Sequence, residues 1–287
     1  MGEILKGKPV ADSITEDIKA KVERLKNSGL NPKLAILRVG NDPSDLSYER
    51  GALARMAKCG IDVEVLELSD DVTEDSLIAH LEYVSDRKDI NGILIFRPLP
   101  GHLDEDRIKN FISPSKDVDC FSPANVAKIM EGDKTGFSPA TPSAVMEILK
   151  FYKIDLSGKH CVVLGRSMVV GKPVSMLLLG QNATVTICHS KTKDLKNICK
   201  MADVLIAAVG RAKMVDESFI KEGAIVIDVG INMDDTGNLN GDVDFESCIN
   251  KASMITPVPG GVGGVTTSVL AQNVLKACED SLLFPGH

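Results

Sequence analysis

The chain has 287 residues, 44% of them hydrophobic, which is enough for a sizeable core and for two domains. Its formal net charge is −7, with acidic and basic residues mixed along the chain, no Trp and three Tyr. A nucleic-acid-binding protein would show a basic face or an aromatic platform for bases, so this composition argues against one. No apolar run approaches the roughly 20 residues of a membrane-spanning helix.

The seven cysteines are dispersed and form no CxxC pair. The sequence therefore indicates neither a zinc site nor a thioredoxin-like motif, and we expect no bound metal. In the absence of a signal peptide, this usage predicts reduced thiols in a cytoplasmic protein.

Strand-like and helix-like segments alternate, which is typical of an α/β protein with parallel sheets. The predicted elements of the first half are, in chain order, a long amphipathic helix (7–29), a buried strand (32–40), a helix (45–60), a strand (62–68), a helix (73–86), a strand (92–100) and an irregular segment before a short helix (116–132). In the second half they are a helix (141–154), a strand–turn–helix (159–179), a strand (183–190), a helix (193–202), two buried strands (203–210 and 224–231), a glycine-rich loop (260–265) and a last helix (266–281).

The turn Gly165–Gly171 lies between a strand and a helix. Glycines there would let the backbone approach a phosphate at the helix N-terminus. Ser167 replaces the middle glycine of GxGxxG, so the turn alone leaves dinucleotide binding and a structural βα turn equally open. A P-loop is rejected, because five residues separate the two glycines where four are required and Pro173 replaces the magnesium-binding Ser or Thr.

The end of the following strand indicates which dinucleotide binds. An NAD site usually places an acidic residue there to hold the ribose 2′-OH. Here the strand ends in His189, Ser190, Lys191 and Thr192. Their hydroxyl and cationic groups suit a 2′-phosphate, which Arg166 could also reach. NADP is therefore favoured over NAD, and a polar surface turn is the alternative.

Seven motifs occur along the chain in the order VGNDPSDLSY, RPLP, KDVDCFSPANV, GRSMVVGKPVSMLL, CHSKT, GAIVIDVGIN and TPVPGGVGG. Their order resembles that of the bifunctional methylenetetrahydrofolate dehydrogenase/methenyltetrahydrofolate cyclohydrolase family (FolD type). The resemblance covers nearly the whole chain, and the last three motifs, in this order after a KDVD segment, are highly specific.

The resemblance implies a two-domain α/β subunit in a homodimer, with parallel sheets and a cleft between the domains. The folate-binding catalytic domain would comprise residues 1–145 plus 266–287, and a Rossmann-like NADP-binding domain residues 146–265. The first activity implied passes a hydride from 5,10-methylenetetrahydrofolate to the nicotinamide. The second opens the resulting methenyl cation with water to 10-formyltetrahydrofolate. The expected partners are the folate and a second copy of the chain. No nucleic acid or membrane is expected as a partner.

The resemblance also assigns site residues position by position. Tyr48 matches a tyrosine that lies against the folate, and Asp119 matches an aspartate that accepts two parallel hydrogen bonds from the pterin edge. Without the resemblance, Tyr48 would be a core tyrosine and Asp119 a capping aspartate. The expected substrate-binding loop contains Pro257, Gly260, Gly261, Val262 and Gly263. The expected cofactor-binding residues are Gly165, Arg166, Ser167, Gly171, His189, Ser190 and Ile231.

Departures from the family pattern cluster around the folate. The catalytic lysine, four residues after the tyrosine on the same helical face, is Ala52 here, and its partner glutamine is Phe96. The further departures are Cys120, Ala140, Ala144, Gly264 and Val265.

Loss of the lysine affects the two reactions differently. Hydride transfer depends on positioning and the exclusion of water. Hydrolysis needs a group that takes a proton from water, a contribution of roughly 10²–10⁴-fold, and Arg55 on the same helix is a poor base. The sequence therefore predicts an NADP-dependent dehydrogenase with weak or absent cyclohydrolase activity. The alternatives are a degenerate paralogue that binds folate or NADP without turnover, and an oxidoreductase of related build that acts on another substrate.

Overall fold

The computed structural model describes residues 1–234 and 236–283, which fall into two compact units. The six-stranded unit, named for its sheet, comprises Met1–Asp12 and Pro139–Thr266. The three-stranded unit comprises Ser13–Ser138 and the chain from Thr267 onward. The domain boundaries drawn from the sequence, 1–145 plus 266–287 and 146–265, stay a prediction, and residues 284–287 lie outside the described residues.

The strands of the described chain are β1 (Glu3–Ile4), β2 (Lys33–Val39), β3 (Asp62–Leu68), β4 (Gly92–Ile95), β5 (His160–Leu164), β6 (Thr184–Cys188), β7 (Val204–Ala207), β8 (Ile225–Asp228), β9 (Asn232–Met233), β10 (Leu239–Asn240) and β11 (Met254–Ile255). The α-helices are α1 (Gly7–Asn27), α2 (Pro43–Cys59), α3 (Glu74–Asp86), α4 (Glu105–Ile108), α5 (Pro123–Glu131), α6 (Ala140–Phe151), α7 (Gly171–Leu179), α8 (Leu195–Lys200), α9 (Phe245–Cys248) and α10 (Thr266–Leu283). Short 3-10 helices lie at Glu217–Phe219 and Val262–Gly264.

The larger sheet is parallel throughout, with the strand order β1-β11-β8-β7-β5-β6. From β5 the chain crosses to β6 on one side and then returns to β7 on the other side of β5. The direction of winding therefore reverses between β5 and β7, and ligands of such sheets bind at the carboxyl ends of the strands at this reversal. The prediction of an α/β fold with parallel sheets is confirmed.

The smaller sheet is also parallel, with the order β3-β2-β4. Its central strand β2 is buried from Leu34 to Val39 and is apolar there apart from Arg38, as expected for a strand covered on both faces. α3 covers it with a stripe at helical spacing that contains Leu77, Ile78, Leu81 and Val84. α2 begins after Asp42, whose side chain accepts the Ser44 N–H, and ends at Gly60 in the left-handed conformation, so both ends are capped.

Two structural findings concern the predicted boundaries. α1 begins at Gly7, as predicted, but the two-residue strand β1 before it was not foreseen. The irregular segment before α5 makes one parallel bridge to the smaller sheet, from Asp117 to Ile93. In the part of the chain described here, no helix combines the length and the apolar character needed to cross a bilayer.

Candidate functional site

An aromatic pair lies at the carboxyl edge of the smaller sheet. Tyr48 stands in the second turn of α2, which follows β2, and Phe96 directly follows β4. Their ring centroids are 5.8 Å apart at an interplanar angle of 79°, the edge-to-face geometry that aromatic pairs prefer. Phe96 is buried. The position that the resemblance assigns to a glutamine amide is thus filled by a ring that neither donates nor accepts a hydrogen bond.

Ala52 lies on the buried face of α2 and is 0% exposed. A methyl group packed against protein thus stands at the position that the resemblance assigns to the catalytic lysine. Arg55, on the same helix, donates from Nη1 to Thr15 Oγ1 at 2.7 Å, so it contacts α1. These contacts leave position 52 without a titratable group and direct the nearby guanidinium to a hydroxyl.

A buried ion pair that was not among the predicted features holds α2 on the sheet. Arg38, in the apolar run of β2, donates from Nε to Glu49 Oε2 at 2.8 Å and from Nη1 to Asn41 Oδ1 at 2.7 Å. Its Nη2 lies 3.0 Å from Glu67 Oε1. Because Glu49 adjoins Tyr48, this pair fixes the turn of α2 that carries the tyrosine. The available signal was a lone arginine inside a strand of apolar residues.

The two aspartates of KDVD occupy different environments. Asp117 is 1% exposed, and its carboxylate accepts the N–H groups of Phe121 and Ser122 and the Asn125 side chain at 2.8–2.9 Å. It therefore holds the start of α5. The side chain of Asp119 is 23% exposed. Asp119 is thus the aspartate of this motif whose carboxylate a ligand can reach.

Arg97 and Cys120 border the Asp119 carboxylate. Arg97 Nη2 lies 3.4 Å from Asp119 Oδ2, and its guanidinium stacks 4.6 Å from the centre of the Phe121 ring. Cys120, at the position that the resemblance assigns to a glycine, has φ +57, a conformation that costs a side-chain-bearing residue of order 1 kcal/mol. Burial, and then the charges of Asp117 and Asp119, raise the pKa of the Cys120 thiol well above its usual range, so it is no nucleophile.

The glycine turn of the six-stranded unit follows β5 and leads into α7. Gly165 has φ +136, and a Cβ atom there would lie 2.2 Å from the Ala208 carbonyl oxygen, so only glycine fits. A Cβ atom on Gly171 would lie 2.4 Å from the Gly165 carbonyl oxygen. Ser167 Oγ accepts the Gly171 N–H at 3.4 Å. The side chains of Arg166 and Ser167 are exposed at the helix N-terminus.

The turn after β6 carries no acidic side chain. The His189 N–H donates to Thr192 Oγ1 at 2.8 Å, and the Lys191 N–H donates to His189 Nδ1 at 3.1 Å. These bonds close the turn and leave the hydroxyl of Ser190 and the ammonium of Lys191 exposed. The turn therefore offers groups for an anion, as a 2′-phosphate requires.

The loop Pro257–Gly264 follows β11 at the same edge of the larger sheet. Gly260 has φ +100, and a Cβ atom on Gly261 would lie 2.4 Å from the carbonyl oxygen of the first loop residue. A Cβ atom on Gly263 would lie 3.4 Å from Cδ1 of Ile231, whose side chain is exposed. The structure thus brings a predicted cofactor contact next to the predicted substrate-binding loop. Across residues 1–234 and 236–283, no group of three or more His, Cys, Asp or Glu residues could hold a metal ion.

Two family models match the chain. Residues 5–119 match the catalytic domain and residues 139–282 the NAD(P)-binding domain of tetrahydrofolate dehydrogenase/cyclohydrolase. The bifunctional protein FolD of Clostridioides difficile (strain 630) is 64% identical over 278 residues, which is 97% of each chain. The crystal structure of the bifunctional enzyme FolD from Campylobacter jejuni is 41% identical, with a TM-score of 0.96 over 98% of this chain and 99% of that one. The FolD structure from Trypanosoma brucei, complexed with NADP cofactor and an inhibitor, is 34% identical, with a TM-score of 0.93 over 98% of each chain.

Proposed function

Because the chain belongs to the tetrahydrofolate dehydrogenase/cyclohydrolase family, we propose that it oxidises 5,10-methylenetetrahydrofolate to 5,10-methenyltetrahydrofolate by direct hydride transfer to NADP⁺. The cyclohydrolase activity of the family is weak or absent in this chain. One observation carries this division: position 52, where the family has its catalytic lysine, is a fully buried alanine. The protein acts in one-carbon metabolism, as a cytoplasmic homodimer.

Hydride transfer needs the two reactants held face to face in a site from which water is excluded. When bound, NADP⁺ accepts the hydride. Asp119 would accept hydrogen bonds from the amino-pyrimidine edge of the folate, and Arg97, 3.4 Å away, balances the charge of its carboxylate. Tyr48 would lie against the folate, held by Phe96 and by the helix that the ion pair of Glu49 fixes. None of these roles moves a proton.

Hydrolysis of the methenyl cation does require a proton acceptor. As water attacks the cationic carbon it must lose a proton, and the ring nitrogen must gain one as the carbon–nitrogen bond breaks. Ala52 and Phe96 have no group for either step. Arginine is a poor general base, and Arg55 donates to Thr15. Solvent water is then the remaining proton acceptor. The hydrolysis rate therefore lacks the roughly 10²–10⁴-fold increase that a positioned base contributes.

The preference for NADP over NAD rests on the turns after β5 and β6. Arg166, Ser190 and Lys191 are exposed there, and neither turn has a carboxylate to pair with a ribose 2′-OH. The relative from Trypanosoma brucei was solved with NADP, which supports the same choice.

The test is one assay with two readouts. Purified protein receives methylenetetrahydrofolate with NADP⁺ or NAD⁺, and reduced cofactor, methenyl product and formyl product are followed together. We expect faster reduction of NADP⁺, with methenyltetrahydrofolate accumulating and converting at its rate in buffer. Conversion well above the buffer rate would overturn the division of activities. Tight NADP⁺ binding without reduction would instead identify a paralogue without turnover.

Restoring the amine tests whether its absence causes the low cyclohydrolase activity. Ala52→Lys combined with Phe96→Gln should gain hydrolysis of added methenyltetrahydrofolate by about tenfold or more over the parent chain. Ala52→Met combined with Phe96→Gln is the matched control, because methionine fills similar space without an amine. If both double variants hydrolyse the substrate equally, the missing lysine is not the reason for the low activity. Folding of each variant is checked by urea unfolding, since position 52 is buried.

A further inference from the structure

A buried carboxylate lies beneath the loop that follows β7. Asp242 is 0% exposed, and its Oδ2 accepts the N–H groups of Val209 at 2.5 Å and Gly210 at 3.0 Å. Its Oδ1 accepts the Arg211 N–H at 2.8 Å. Three successive backbone N–H groups thus converge on one anion, an arrangement that in other proteins forms a site for bound phosphate. Here the protein's own carboxylate fills it.

A second buried carboxylate supports the first. Asp228, the last residue of β8, accepts the N–H groups of Asp242 at 3.0 Å and Gly230 at 2.9 Å. Its own N–H donates to Thr256 Oγ1 at 2.7 Å. The Asn232 side chain donates to Asp242 Oδ1 at 2.9 Å. Burial raises the pKa of Asp228 to about 6, and the backbone N–H groups bonded to it oppose that rise.

Two glycines, Gly230 and Gly241, leave the space that the two carboxylates occupy. A Cβ atom on Gly230 would stand 2.3 Å from Asp242 Cγ, and one on Gly241 would stand 1.8 Å from Asp228 Oδ2. Substitution at either glycine would displace a carboxylate and the loop bonded to it. We use the term carboxylate hub for Asp228 and Asp242 together.

The hub joins the loops that border the predicted cofactor site. Residues 209–211 follow Ala208, whose N–H donates to the Leu164 carbonyl at 2.8 Å and whose carbonyl oxygen lies against Gly165. Ile231, a predicted cofactor contact, lies between the hub's partners Gly230 and Asn232. Thr256 directly precedes the loop Pro257–Gly264. All of these segments lie at the carboxyl edge of the larger sheet, and residues 209–211 follow β7, one of the two strands between which its winding reverses.

We propose that Asp228 and Asp242 are positioning residues for the dinucleotide, which hold these loops in the binding geometry and confine its diphosphate to the turn Gly165–Gly171. The inference rests on the proposed function, since it takes NADP⁺ as the ligand. The confinement follows because the N–H groups of residues 209–211 are already bonded to Asp242. The hub thereby sets cofactor affinity without taking part in hydride transfer.

Asp242→Asn is the direct test. An amide can accept from Val209 and Gly210 but turns an N–H toward the Arg211 N–H, so the loop must shift. We expect the Kd for NADP⁺, measured by calorimetry, and the KM for NADP⁺ to rise at least about tenfold, because hydrogen bonds to buried charges are the strong ones. The KM for the folate and kcat at saturating NADP⁺ should stay within about twofold.

Asp117→Asn supplies the matched control. Asp117 is also buried and also accepts two backbone N–H groups and an asparagine side chain, but in the three-stranded unit. Its substitution should lower stability to a similar extent and leave the Kd for NADP⁺ unchanged. If Asp242→Asn lowers stability alone, or raises both KM values together, the positioning role is wrong.

A milder variant covers the case in which Asp242→Asn does not fold. Asn232→Ala removes one donor to Asp242 and leaves its three backbone bonds in place, so the Kd for NADP⁺ should rise by about two- to fivefold. An unchanged Kd would overturn the proposal. The parent protein is measured first, and if it does not bind NADP⁺, the proposed function is wrong. If it binds NADP⁺ and neither variant changes the Kd, only the positioning role of the carboxylate hub is wrong.

Discussion

Asp117 and Asp119 stand two positions apart in one motif, yet their surroundings differ. The first is buried and holds the start of α5, and the second exposes a quarter of its side chain beside Arg97. The sequence could assign Asp119 to the folate only through the family resemblance, because both residues are aspartates in one irregular segment. Burial separates them, and burial depends on packing that a single sequence does not reveal.

Asp119→Ala should therefore affect substrate binding more than stability. A carboxylate that accepts hydrogen bonds from a ligand contributes about 1.5–3 kcal/mol, so the KM for methylenetetrahydrofolate should rise at least about tenfold. The free energy of unfolding should stay within about 1 kcal/mol of the parent value, because the side chain is partly exposed. Steady-state kinetics and urea unfolding measure the two effects.

Asp117→Ala is the comparison for that experiment. It leaves two buried backbone N–H groups and the Asn125 side chain without their acceptor, which should cost about 2–4 kcal/mol of unfolding free energy. Should Asp119→Ala destabilise the protein as much as Asp117→Ala and leave the KM unchanged, Asp119 would be a structural residue and the assignment to the folate would be wrong.

At the scale of the elements, a charged cluster joins the ends of β2, β3 and α3. Arg87 donates to both carboxylate oxygens of Glu64, at 2.6 and 2.9 Å, and to Asp89 at 2.7 and 3.0 Å. Lys33 Nζ lies 2.6 Å from Glu64 Oε2. Hydrogen bonds from Arg87 and then from Lys33 lower the pKa of Glu64 to about 2. No local sequence pattern indicates this cluster, because its members belong to different elements.

Arg87→Gln should reveal the cluster through its pH dependence. A lowered pKa means that the pair stabilises the fold above the unfolded value of Glu64, near 4.5, and that this stabilisation is lost as the pH falls towards 2. Because the Glu64 side chain is 34% exposed, screening reduces the effect, and we expect a loss of about 1 kcal/mol at pH 7. Urea unfolding should show the gap between parent and variant shrinking between pH 4.5 and pH 3.

Lys109→Gln is the control for that comparison, since it removes an exposed pair with Asp106. It should change the free energy of unfolding by less than about 0.5 kcal/mol. A gap for Arg87→Gln that does not change with pH would mean that the arginine stabilises through packing of its stem instead of through Glu64.

At the scale of the whole molecule, local patterns predicted the architecture, and long-range pairing lay beyond them. The alternation of strands and helices, the glycine turn at Gly165 and the start of α1 at Gly7 are each encoded within a few residues, and each was found in the structure. β1 was missed because its two residues form a strand only by pairing with β11, which lies far along the chain. The carboxylate hub was missed for the same reason, since it joins loops that only the sheet order brings together.

The increase in the free energy of unfolding on NADP⁺ binding tests both the cofactor site and the role of Asp242 in the whole molecule. Free NADP⁺ at 100 times its Kd should raise the free energy of unfolding by about 2.7 kcal/mol, if the unfolded chain does not bind it. The predicted cofactor residues all lie in the six-stranded unit, so in a two-step unfolding curve one transition should move. In Asp242→Asn, a tenfold weaker Kd at the same NADP⁺ concentration reduces the gain to about 1.4 kcal/mol. Equal gains in both proteins would contradict the positioning role, and no gain in the parent protein would contradict NADP⁺ binding itself.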